Sequence, residues 1–214
     1  MTFSPLNKNM SVRGQFMLLK EKVEAVPRFP NPASFTKFIS ILLSDFDLKF
    51  KTVRSSKVDD NMIVFSGAYD PEDDKQMFPC IDIDVVYSLN QKIIETRNLD
   101  IELVLLDLYE TVYHEKTHQH QYRNRKFRRP PVFKGDTSEQ VYLGCCDEIE
   151  AHAIEIAVDL YIKDLHNLNK EICDNSVYKH YARTFGYDHK ILNELFEHSS
   201  KYFNKLQEHD HVLR

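Results

Sequence analysis

Residues 114 to 118 read His-Glu-Lys-Thr-His, and this pentapeptide is where the chain first offers chemistry. On a helix, four residues turn about 400 degrees, which sets both imidazoles on one face, one turn apart. Imidazole nitrogen suits zinc, so His114 and His118 are candidate metal ligands, with Glu115 on the flank of the same face where it can meet a water at the metal. A chain with ten histidines can also produce this pattern by chance, so the surroundings carry the argument. The motif lies well inside an amphipathic helical run, Ile101, Val104, Leu105, Leu108 and Val112, that follows a strand-like segment.

A catalytic zinc needs a third protein ligand and one open position. Metzincins would supply a glycine and a histidine at 121 and 124, but Gln121 and Asn124 stand there, and His120 points to the opposite side of the helix. Further along, the chain reads Cys146-Asp147-Glu148-Ile149-Glu150-Ala151-His152. This segment resembles the glutamate helix of the gluzincins, in which a helical Glu-x-x-Ala followed by Asp or Asn supplies the third ligand and a partner for a ligating histidine. The resemblance names Glu148 as ligand and Ala151 as the small residue between helices. It places His152 where the clan has Asp or Asn, so the hydrogen bond to a ligating imidazole would come from another imidazole. Glu150 is the rival ligand; it lies about 200 degrees around the helix from Glu148, so only one of the two can reach the metal, and the register favours Glu148.

The resemblance covers about residues 80–165. It is similar to the cores of minigluzincins, of ImmA/IrrE-type regulatory peptidases and of small metallopeptidases encoded by tailed phages, the run His-Gln-His-Gln after residue 117 looking most like the last. It implies a zinc metalloendopeptidase acting on a protein or peptide substrate, with Glu115 taking a proton from the attacking water and passing it to the leaving amine. An oxyanion donor would come from His152 or from the later segment that holds Tyr178, His180, Tyr181, Tyr187 and His189. Substrate would lie along an edge strand, Cys80 to Tyr87, where Asp82 and Asp84 either face its basic residues or are the polar residues of an ordinary solvent face.

The elements that must position these groups follow from periodicity. A short helix is expected around Gly14 to Ala25, and a second over Phe35 to Phe46 with Ser34 as its N-cap. Strands are expected at Leu48–Val53, Met62–Gly67 and Cys80–Tyr87, then the motif helix capped by Asn98 or Asp100, a basic proline-broken loop, and one long helix from about Ser138 to about Leu165. Two further helices fall near Ser176–Thr184 and Asp188–Leu206. The expected architecture is α+β: a small antiparallel sheet packed on a zincin-like helical core, in a single domain over 1–214 with residues 1–33 as an extension.

Composition bounds the alternatives. Hydrophobic residues are 42% and charged residues 29% of the 214, which suits a folded globular chain. The net charge of -5 argues against a general nucleic-acid binder. Four cysteines, two of them adjacent, give no disulfide framework. The first twenty residues lack signal-peptide character and no run is apolar enough to span a bilayer, so a soluble cytoplasmic protein is expected, or a virus-encoded one acting in host cytoplasm or virion. Two readings of other classes stand beside the peptidase: a nucleic-acid or partner-binding module using the basic loop 123–129, and a catalytically silent zincin-fold protein with a binding or virion-assembly role.

Overall fold

The computed structural model of the chain describes residues 10–165 and 167–212. The fold is α+β, and it divides into two compact units, one ending at Val112 and one beginning at Tyr113. Sequence reading expects one domain.

In the first unit, the alternation of Ile81, Ile83, Val85 and Tyr87 with Asp82 and Asp84 builds a strand with one face fully buried, β4 (Ile81–Ser88). Burying four such side chains contributes roughly 1.5–3 kcal/mol each. β4 lies between β2 (Leu48–Ser55) and β3 (Ile63–Tyr69), parallel to β2 and antiparallel to β3. The sheet is therefore mixed, not antiparallel throughout as expected. The central place of β4 also removes the expected substrate edge: both of its hydrogen-bonding sides are occupied, so no peptide can add to it. Asp82 pairs with Lys51 at 3.2 Å.

Helix α2 (Pro32–Leu42) buries Phe35, Ile39 and Leu42. Its N-cap is Asn31, whose side chain accepts from the Ser34 amide; the expected cap Ser34 sits inside the first turn because Pro32 already opens the helix. Helix α1 (Val12–Glu24) buries Phe16, Leu19 and Val23, and the Phe16 ring meets Tyr109 edge-on at 5.6 Å. β1 (Arg28–Phe29) pairs with β5 (Ile94–Glu95). A short helix, α3 (Pro71–Lys75), links β3 to β4. The long motif helix α4 (Ile101–Asn124) starts at Asp100, whose side chain accepts from the Leu103 amide at 3.1 Å. Its expected apolar stripe, from Ile101 to Val112, is buried, and Asp107 accepts from the Phe65 amide of β3 at 2.8 Å. The boundary between the units falls within this helix.

The second unit contains the rest of α4 and five more helices: α5 (Ser138–Leu143), α6 (Cys146–Ile162), α7 (Leu168–Asp174), α8 (Ser176–Phe185) and α9 (Lys190–Val212). The expected helix over 138–165 is broken in two. Cys145 adopts an extended conformation at the break, and the Phe133 ring lies so close over Gly144 that a Cβ there would come within 2.3 Å of it. Helix α6 packs chiefly on α9, burying Ile149, Ala153, Ile156, Ala157 and Leu160 along with Ile191, Leu192 and Leu195 of α9. Among the described residues, no helix is long and apolar enough to cross a membrane.

Candidate metal centre

Helical spacing does at α4 what the sequence predicts. His114 and His118 project one turn apart, with their Nε2 atoms 3.0 Å from each other. Helix α6 brings Glu148 against both, its Oε2 3.6 Å from His114 Nε2 and its Oε1 3.5 Å from His118 Nε2. Glu148 Oε2 is buried and has no hydrogen-bond donor. His114, His118 and Glu148 thus form a group that could hold a metal ion. Glu150 does not face it: its carboxylate accepts from Gln121 Nε2 at 3.0 Å and from the Tyr202 hydroxyl of α9.

The outer nitrogens of the two imidazoles are turned toward acceptors. His114 Nδ1 lies 2.8 Å from Glu155 Oε1, and His118 Nδ1 lies 3.0 Å from Gln121 Oε1. Glu155 is an ion-pair neighbour of His114 Nδ1, a nitrogen that makes no hydrogen bond of its own. The Gln121 carbonyl oxygen, which only accepts, favours the proton on Nδ1 of His118 and leaves its Nε2 as a lone pair. The two Nε2 atoms then meet at hydrogen-bond distance beside a carboxylate, a place that a cation, whether a proton or a metal ion, can fill.

Electrostatics agree. Burial works against a charged His114, but Glu148 and Glu155 outweigh it and push its pKa up to about 10. His118 is raised in the same way, burial being overcome by Glu148. Glu148 would be raised by burial, yet the two imidazoles hold it far below the ordinary carboxylate range.

Glu115 is buried on the same turn of α4, and its negative charge is felt at His114 and at the Tyr142 hydroxyl. His152 is not the hydrogen-bond partner of a ligating imidazole. Its ring meets the His114 ring edge-on at 4.9 Å, while its Nδ1 is 2.9 Å from the Tyr181 hydroxyl and 3.0 Å from the Glu148 carbonyl oxygen. Burial lowers its pKa. The outer partner of His114 comes instead from Glu155, seven residues beyond Glu148 on the same helix face. His114, His152 and Glu155 form a second group of possible metal-binding geometry.

Tyr181 is fully buried, and its hydroxyl meets His152. His180 faces Glu139 at 3.3 Å, and Tyr187 is 72% exposed between α8 and α9. Sequence reasoning missed Tyr142, whose hydroxyl helps hold Glu148 ionised and whose side chain remains half open to solvent. It also missed Gln121 as a contact of His118. In the basic loop, Arg125 grips Asp147 with both guanidinium nitrogens, one at 2.6 Å, and so pins the residue before Glu148.

Compared with known proteins, the chain matches no family model, no curated protein and no solved structure.

Proposed function

We propose that the second unit carries a zinc-dependent peptidase centre, with His114, His118 and Glu148 as ligands and Glu115 as general base. The observation that carries this reading is the meeting of two imidazole Nε2 atoms, 3.0 Å apart, beside the Glu148 carboxylate, whose buried Oε2 lacks a hydrogen-bond partner. The donor set suits zinc, which takes imidazole nitrogen and carboxylate oxygen. The two Nε2 atoms are 3.0 Å apart and each meets a different oxygen of Glu148, at 3.5 and 3.6 Å. Two histidines and one glutamate, with no cysteine among them, match an open catalytic site better than a closed structural one.

When bound, zinc would supply Lewis-acid activation of a water. The rest falls to the chain. Glu115 takes the proton of the attacking water and returns it to the leaving amine. Gln121 keeps the His118 imidazole turned metal-ward, and the Tyr142 hydroxyl helps keep Glu148 ionised.

The test is metal analysis of the purified protein beside His114→Ala and Glu148→Ala. About one zinc per chain, lost in both variants, is the expected result. A native protein that takes up no zinc after reconstitution would sink the proposal and leave the catalytically silent binding or assembly role as the better reading.

A further inference from the structure

We propose that Glu150, which is not a metal ligand, determines which nitrogen His118 offers to the metal, acting through the side-chain amide of Gln121. The inference rests on the metal-centre reading above.

A glutamine amide can turn either end toward an imidazole. If its NH2 faced His118 Nδ1, that nitrogen would have to accept, the ring proton would move to Nε2, and the metal-facing position would be blocked. What decides the orientation lies on the far side of Gln121. Its Nε2 is 3.1 Å from the Asp147 carbonyl oxygen and 3.0 Å from Glu150 Oε2. Both are acceptors only, so the NH2 end must point to them and the carbonyl end to His118. The Tyr202 hydroxyl, donating to Glu150 Oε1, holds that carboxylate in place from α9. The chain Tyr202, Glu150, Gln121, His118 therefore has one consistent direction of donation, ending in Nδ1–H and a bare Nε2. Glu150 is a positioning residue: it has no reason to touch substrate or metal.

The design of the test follows from the chemistry. In Glu150→Gln, the amide at 150 can present either end to Gln121, only the Asp147 carbonyl oxygen at 3.1 Å still sets the direction, and zinc affinity should fall about 10-fold. In Gln121→Glu, a carboxylate at 121 faces both Glu150 and the Asp147 carbonyl oxygen, and affinity should fall as well. The double variant Gln121→Glu/Glu150→Gln exchanges the two groups. The new carboxylate accepts from His118 Nδ1, the new amide donates to it, and Tyr202 still has an oxygen to donate to. Binding should recover by about 10-fold over the weaker single variant, short of native because the Asp147 oxygen loses its donor.

Chelator-treated protein would be titrated with zinc alone, and the His118 ring nitrogens followed by long-range proton–nitrogen NMR. Recovery in the double variant, with the Nδ1–H form restored, supports the proposal. It is overturned if Glu150→Gln binds zinc as native does with an unchanged His118 tautomer, or if the two substitutions simply add. Failure of the native protein to bind zinc would instead overturn the metal-centre reading itself, so the two failures are distinguishable.

Discussion

Two polar clusters, one in each unit, are built on opposite principles. In the sheet unit, the buried Tyr87 hydroxyl and Thr36 hydrogen-bond at 2.9 Å, the exposed Thr52 donates to Thr36 at 3.0 Å, and Tyr87 also reaches the Pro32 carbonyl at 3.2 Å. Every member is neutral and each hydroxyl can donate or accept, so the cluster closes on itself. In the helical unit, His114, Glu115, Glu148 and Glu155 are ionisable, mostly buried and aimed so that like lone pairs meet. A closed cluster stabilises a fold; an unclosed one is stable only with something added.

The contrast can be broken from either side. The largest effect is expected from Glu115→Gln. Zinc content should stay at the native level while peptidase turnover falls about 10²–10⁴-fold, the usual worth of a general base; equal turnover in the two proteins would remove Glu115 from the chemistry. Next comes Arg125→Ala. It leaves Asp147, 4% exposed, without its guanidinium, and should lower unfolding free energy by about 2–3 kcal/mol in denaturant titrations, with weaker zinc binding because Glu148 is the next residue. Glu155→Gln should weaken zinc binding about 10–100-fold with little change in fold. Isothermal titration would also locate the ion: if Glu155→Gln abolishes binding and Glu148→Ala spares it, the metal sits in the His114, His152, Glu155 group instead. On the closed side, Tyr87→Phe should cost about 1–2 kcal/mol of stability and leave metal affinity alone.

The contrast also shows in pH. The His114 pKa is raised from 6.5 to about 10 on folding, so its contribution is fully present below 6.5 and is lost as pH rises toward 10. Glu148 is lowered from 4.5, so its contribution is present above 4.5 and is lost as pH falls below it. On these two groups, chelator-treated protein should be most stable between pH 4.5 and 6.5 and decline on the alkaline side. Zinc should abolish the alkaline decline, since it takes the place of the proton. Thermal melts across pH, with and without chelator, would show whether it does.

How much of this was legible depended on whether local geometry sufficed. The faces shared by His114 and His118, and the turn of Glu148 away from Glu150, follow from 100 degrees per residue and needed no tertiary information. The same arithmetic reaches Glu155, seven residues on from Glu148, but the resemblance to gluzincins points to His152 for that place. The part Gln121 plays depends on Glu150 and Tyr202, distant in sequence, so position 121 alone shows only a mismatch to the metzincin motif. Tyr142 was hidden by the break at Gly144, which a ring packed from Phe133 imposes. Strand positions were readable from alternation, but the order β2-β4-β3 was not, since pairing is a choice among long-range partners.

That order has a consequence for synthesis. Neither β2 nor β3 has the other as a neighbour; each is hydrogen-bonded to β4. A nascent chain that has emerged only as far as Tyr69 carries both outer strands and none of the ladder that joins them. The sheet is assembled when its last strand in sequence leaves the ribosome and slots between the first two, so a stalled chain ending before Ile81 should present two unpaired strands to chaperones and proteases.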